Sequence, residues 1–465
     1  MPIIIEKTNP KSLGSHAGKS HQLPNKTNPN KKTDSKWNYF KDLSSIVCSR
    51  ESTYRTALDI TAFDIPVLFA DAFRGIKKFL ESGVECLSST VLVYIAPQIT
   101  TLVGKVLGKI ILPKEMQKDA VNYLQFSMDE LRDPEKFKDA KHRIKEQESE
   151  DKKFVSSLFK RVGREKSANY YKDKAEEIKS FFTNLEPTEE KRKLAYKLKK
   201  ATMIFESAIE GGWWGGYGLV LRWFRKHILK EDRFTGTKGY VNDDESKKLG
   251  ESGELNLFQK ILGGGAIFIS PVLTWIGLNK VEDREAVKKS PFLQMVDKQF
   301  DTTHGVFPRL GLLFAQTTVP KWIGTITTSQ GWFERGERIL KLLTVIPSWW
   351  FGHRLTNGLL ALNADKKLAE KYKTDRGILV EKEYLKPADK NDSWFTKLDK
   401  RFPDPAQIHH VIKSTEHNKE LQKEAEDQHA KCLYTGFALH SALVWVINMG
   451  VNHLTKLRAL YALGK

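Results

Sequence analysis

Positions without charge are gathered along this chain into three runs. The longest, CLYTGFALHSALVWVINMGVNHLT, fills 24 residues between Lys431 and Lys456, and two runs of 19 occupy Cys86 to Gly104 and Ile261 to Asn279. A helix needs about 20 apolar residues to cross hydrocarbon, so all three runs approach or reach that length. The last is strongly apolar from Leu433 to Ile447, then polar through Asn448, Asn452 and His453. Serines and threonines dilute the first run, and Gly263 to Gly265 the second. Such residues let helices pack closely in a membrane, as does Gly104-x-x-x-Gly108. Pro97 and Pro271 fall in mid-run and are expected to break their helices.

Between the runs, Lys114 to Lys200 and Ala364 to Lys431 are densely charged, with apolar residues at helical spacing. Helix breaks are predicted near Asp133-Pro134, Gly163 and Glu186-Pro187, and Thr188, Glu189 and Glu190 have the character of a first helical turn. In Asp59 to Phe73, Pro66 should kink or begin a helix. The segment GGWWGGYG, Gly211 to Gly218, is too rich in glycine for an exposed helix and too aromatic for a solvent loop, so it should be packed or interfacial. No alternation persists for the length of a strand, and the expected fold class is all-α, a multi-helix assembly with several hydrophobic helices embedded in a membrane. Six regions follow: a disordered basic tail at 1–36, hydrophobic helical regions at 37–112 and 205–364, a charged amphipathic segment at 113–204, a charged arm at 365–431, and a hydrophobic helix with a basic tail at 432–465. Short matches about 170 residues apart, Lys77-Lys78 with Lys247-Lys248 and Pro97 with Pro271, suggest an internal duplication.

The net charge of +19 and pI near 9.5 imply a polyanionic partner, nucleic acid or anionic lipid. Nothing matches an RNA-binding sheet motif or a zinc finger, which favours lipid. A protein partner or a second copy of the chain is compatible with the same surfaces. Cys48, Cys86 and Cys432 lie far apart without CxxC spacing, which fits a reducing compartment, and MPIIIEKTNPK lacks the pattern of a secretion signal. No HExxH or P-loop occurs; Asp301 to Gly305 and His409, His410 and His417 are too sparse to define a triad or a metal site. No catalytic residue, cofactor or metal is therefore assigned.

Candidate lipid-interface residues are Trp213, Trp214, Trp349 and Trp350, aromatic residues of the kind found at the head-group boundary, and Lys152, Lys153, Lys160 and Arg161, whose helix aligns Phe154, Leu158, Phe159 and Val162 on one side. Asp59, Asp64 and Asp71 stand in an otherwise apolar stretch and are candidate carrier carboxylates. The sequence leads to a non-enzymatic, membrane-embedded or membrane-attached structural protein that grips anionic lipid, with its charged segments in the cytoplasm. The alternatives are a small-solute or ion carrier built on proline-broken helices, and a soluble basic helical protein that binds nucleic acid.

Overall fold

The computed structural model of the chain describes residues 29–48, 51–161, 163–186, 188–231, 233–237, 240–249, 255–302, 309–348, 352–386, 402, 405–414 and 418–465, some of them by backbone alone. Its regular structure is helical, and no strand occurs among the described residues. The chain is an all-α, multi-helix assembly. In order, the helices are α1 (Pro29–Cys48), α2 (Glu51–Leu58), α3 (Ile65–Ala72) and α4 (Ile76–Ile111), then the short α5 (Lys114–Gln117), α6 (Ala120–Tyr123) and α7 (Met128–Arg132). There follow α8 (Pro134–Arg161), α9 (Glu165–Asn184), α10 (Glu189–His227), α11 (Asp243–Lys248) and α12 (Leu257–Lys280). The remainder are α13 (Arg284–Lys289), α14 (Pro291–Gln299), α15 (Leu310–Leu313), α16 (Val319–Thr327), α17 (Trp332–Pro347), α18 (His353–Tyr372), α19 (Pro405–Ser414) and α20 (Lys419–Ala462).

Prolines shape these helices without ending them. Wide π-helical turns at Asp59–Asp64 and Phe314–Thr318 precede Pro66 and Pro320, each at the second position of the helix that follows. A proline ring collides with the carbonyl four residues back in a regular helix, and an extra residue in the turn relieves that collision. Pro97 and Pro271, by contrast, lie inside continuous helices of 36 and 24 residues, so the expected breaks do not occur. The Thr101 hydroxyl donates to the Pro97 carbonyl at 2.8 Å, and α4 packs along α10. Nor does GGWWGGYG interrupt anything: it is the middle of the 39-residue α10.

That glycine segment is where backbones meet. A Cβ on Gly215 would stand 2.5 Å from the Ala266 carbonyl carbon of α12, one on Gly211 would strike Ser270, and one on Gly218 would strike Thr328 and Gly324 beside α16. Three helices therefore cross on glycine, the close approach that small residues permit. The side-chain pairs give the directions. Glu81 meets Arg225 and Thr100 meets Glu206, so α4 and α10 are antiparallel. Ser207 meets Thr274 and Lys200 meets Asn279, so α12 is antiparallel to α10 as well. On the other side, α20 runs alongside α3, with Phe63 against His440 and Asp71 against Asn452, and antiparallel to α18, where Lys371 pairs with Glu424.

These directions bring both charged segments to one end of the array. The first packs α5 to α9 on the start of α10 around its own core, where Phe126 stacks on Phe137 at 4.3 Å and Phe182 completes the cluster. The second surrounds Asp365, whose buried carboxylate accepts from the backbone N–H groups of Gly377, Ile378 and Leu379 at 3.2, 2.8 and 2.7 Å. Helices α10 and α20 continue across 204/205 and 431/432, where the charge pattern changes. The 1–36 segment contains the start of α1 at Pro29, a residue suited to a first helical turn, and residues 1–28 lie outside the described residues. The suggested duplication is carried only as far as direction: Lys77 and Lys78 open α4, whereas Lys247 and Lys248 end the separate α11.

Candidate functional site

Three helices, α4, α12 and α20, are long and apolar enough to cross a membrane. Within their apolar windows only 22%, 33% and 39% of the residues are buried. The rest form a wide apolar exterior: Leu87, Val91, Leu102 and Val106 on α4, Phe268 and Val272 on α12, and Leu443 and Val446 on α20 are all exposed. Monomeric soluble proteins seldom leave large apolar patches uncovered. From Leu87 to Val106 it extends about 30 Å at the rise of an α-helix.

One end of this exterior is ionic inside. Glu81 of α4 and Glu334 of α17 hold Arg225 between them at 2.8 and 2.7 Å. Arg338 adds contacts of 3.2 Å to Glu81 and 3.0 Å to Glu85. Alongside, Arg74 grips Glu337 at 2.6 Å, and Lys341 lies 3.2 Å from Asp71 and 3.4 Å from Glu337. Ser82 and Asn452 donate to Asp71 at 2.6 and 3.0 Å, and Thr235 donates to Glu81. Removing charges from water is costly, and only dense mutual pairing of this kind offsets the cost. The network fastens α3, α4, α10, α17 and α20 at one level.

The opposite end carries a groove of about 670 Å³ between the first charged segment and α12. Arg132, Arg192, Lys193, Lys197 and Lys200 line it, against Glu189 and Glu282. Trp275, 55% exposed at the last turns of α12, forms its apolar wall with Ile204. Lys193 and Lys197 are exposed, Lys193 pairing with Glu189 at 2.6 Å, while Arg132 is pinned by Asp297 at 2.6 Å and Lys200 by Glu282 at 2.6 Å. A basic wall beside an exposed tryptophan suits a phosphate-bearing head group whose chains run along the apolar exterior.

Between the two ends, the face of α10 turned to α4 is polar and buried. Thr100 donates to Glu206, Glu210 follows one turn later, and both carboxyl side chains are almost fully buried. On the neighbouring face, Ser207 donates to Thr274 at 2.8 Å and accepts from Gln316 at 2.9 Å.

The sequence-derived candidates are scattered across this frame. Asp71 belongs to the ionic network, Asp64 accepts from Thr90, and Asp59 is buried, so the three do not converge on one site. Trp213 is exposed, and its indole N–H donates to Ser88 of α4 at 2.8 Å. Trp214 is not interfacial at all: it is buried at 4% exposure beneath Lys321, whose ammonium lies 4.6 Å from the ring. Trp349 and Trp350 lie outside the described residues. Lys152 is half-buried near Glu148, at 3.8 Å, and Lys153 and Lys160 are exposed. The side chains of Arg161, Phe154 and Leu158, and all of Val162, lie outside the described residues; Phe159 stacks on Tyr171 of α9 at 5.4 Å, so that part of the apolar side faces this protein. Asp301 is structural, accepting from the N–H groups of Met128 and Asp129 at 2.8 and 3.1 Å to cap α7, while 303–305 and His417 lie outside the described residues. No cluster of three metal-binding side chains occurs among the described residues.

Sequence reasoning missed the ionic network, Glu206 and Glu210. The signal was there for the network: Glu334, Glu337, Arg338 and Lys341 fall on one face of a helix in a largely apolar region. Fold and site together define a class, a helical assembly with an apolar exterior, ionic at one end and basic at the other. No family model matches the chain, and neither a curated protein nor a solved structure is detectably similar to it.

Proposed function

We propose that this is a non-enzymatic, membrane-embedded helical protein that binds anionic lipid at the basic groove beside Trp275. The apolar exterior of α4, α12 and α20 carries the proposal, since a bilayer is the partner that covers a surface about 30 Å tall on several helices at once. The groove supports the lipid preference through two exposed basic residues, Lys197 and Lys193, the latter paired with Glu189 at 2.6 Å on the exposed rim. Both charged segments share one end and contain half of the chain's lysine and arginine, 38 of 76, and the positive-inside tendency favours the cytoplasm for that end. The 228–256 connection at the other end holds more acidic than basic residues. A cytoplasmic, reducing setting also suits three buried free cysteines.

Flotation with vesicles tests the proposal. The protein should float with phosphatidylcholine vesicles after alkaline carbonate washing, and recovery in the soluble fraction would contradict embedding. The purified protein should bind phosphatidylserine in preference to phosphatidylcholine. The Lys193→Glu, Lys197→Glu double variant should lose that preference while still floating.

A further inference from the structure

One face of α10 presents a buried polar side chain at nearly every turn from one end of the apolar exterior to the other. Lys199, Thr202, Glu206, Glu210, Trp214 and Tyr217 follow in order, and Arg225 closes the line in the ionic network. All are buried. From Lys199 to Arg225 the line is about 39 Å long at the helical rise, enough to traverse hydrocarbon. Its α4 counterparts keep pace, with Gly104 opposite Thr202, Thr100 bonded to Glu206, and Glu81 bonded to Arg225.

The line is incompletely satisfied. Thr202 Oγ1, Trp214 Nε1 and Tyr217 Oη have no hydrogen-bond partner among the described residues, and each is buried. Thr202 stands one turn before Glu206 on the same face, while Trp214 stands one turn beyond Glu210. Buried orphan polar groups are rare and cost free energy unless water or an ion meets them. Glu206 and Glu210 are themselves unlike the network carboxylates, because neither has an ion-pair partner among the described residues. The α4 group bonded to Glu206 is the neutral Thr100, and the groups on the neighbouring face of α10, Ser270 and Thr274 from α12 and Gln316 from the second π turn, are neutral too. Lys199 is the cation whose field reaches Glu206, and its ammonium donates to the Leu124 carbonyl at 2.6 Å.

We propose that the α4–α10 seam is a proton pathway through the membrane, in which Glu206 and Glu210 exchange a proton with each other and with water held at Thr202, Trp214 and Tyr217. A carboxyl O–H bond breaks on one glutamate as an O–H bond forms on the other, directly or through one water. The donor is reprotonated from its own side and the acceptor gives its proton to the other. One proton crosses, no electron moves, and the charge transferred is balanced by a counter-ion moving across the same membrane. The unpaired state of the glutamates makes this possible, since a carboxylate locked by arginine, as Glu81 is, has no reason to take up a proton. The pathway rests on the embedded reading above and goes beyond it by assigning a transported species.

The test is proton flux into vesicles containing reconstituted protein and trapped pyranine, driven by a potassium gradient with valinomycin to balance charge. Wild-type protein should acidify or alkalinise the lumen faster than protein-free vesicles. The Glu206→Gln, Glu210→Gln variant should lose that excess while keeping the wild-type elution profile and helicity. The Glu206→Asp, Glu210→Asp variant, which keeps two ionisable groups, should retain part of it. Protein that co-floats with the vesicles but carries no more protons than empty vesicles overturns the pathway and leaves embedding intact. Flux unchanged in the glutamine variant overturns it equally, and protein that fails to float removes both readings.

Discussion

Arg225 concentrates the energetics of the ionic end in one side chain. Replacing it with methionine preserves much of its volume but removes the closer of the two cations shared by buried Glu81 and Glu334, leaving Arg338 at 3.2 and 3.5 Å. Losing one partner of a buried pair costs about 3–5 kcal/mol, so thermal unfolding in detergent should move down sharply. A substitution at exposed Lys160 should change stability by about 0.5 kcal/mol or less in the same assay. Asp365 works locally. Alanine there would orphan the N–H groups of Gly377, Ile378 and Leu379, each at about 1–3 kcal/mol, and limited proteolysis should then cut at 376–380 before the rest of the chain opens.

At the scale of elements, the decisive contacts are those without side chains. Valine at Gly215 would drive its Cβ into the Ala266 backbone and separate α10 from α12 and α16. Overpacking costs about 1–3 kcal/mol even where neighbours can shift, and backbone cannot, so Gly215→Val should lower the melting temperature more than Gly264→Val, where the space is open. This is also where sequence legibility divides. Helix breaks near Asp133-Pro134, Gly163 and Glu186-Pro187 were readable because turn chemistry is local, and the helices there end at Arg132, Arg161 and Asn184. The continuity of α4 through Pro97 and of α10 through its glycines was not, because packing between distant segments overrides local propensity. Glu206 and Glu210 were unreadable for the same reason: a glutamate on an amphipathic helix faces water by default, and only α4 and α12 packing around it make it buried.

For the whole molecule, the arrangement has a sidedness that the flanks of each run did not reveal. Cysteines placed at Lys153 and Lys371 should react with an impermeant maleimide from the same side of sealed vesicles, and one at Lys247 from the other. The claim on which everything else depends is that the exposed faces of α4, α12 and α20 touch lipid. Nitroxide labels at Val91, Val272 and Val446, all exposed, report it directly by power saturation in reconstituted vesicles. The account expects high accessibility to oxygen and low accessibility to a water-soluble nickel chelate at all three, with the reverse at Lys371. Nickel accessibility at the three valines equal to that at Lys371 would contradict it.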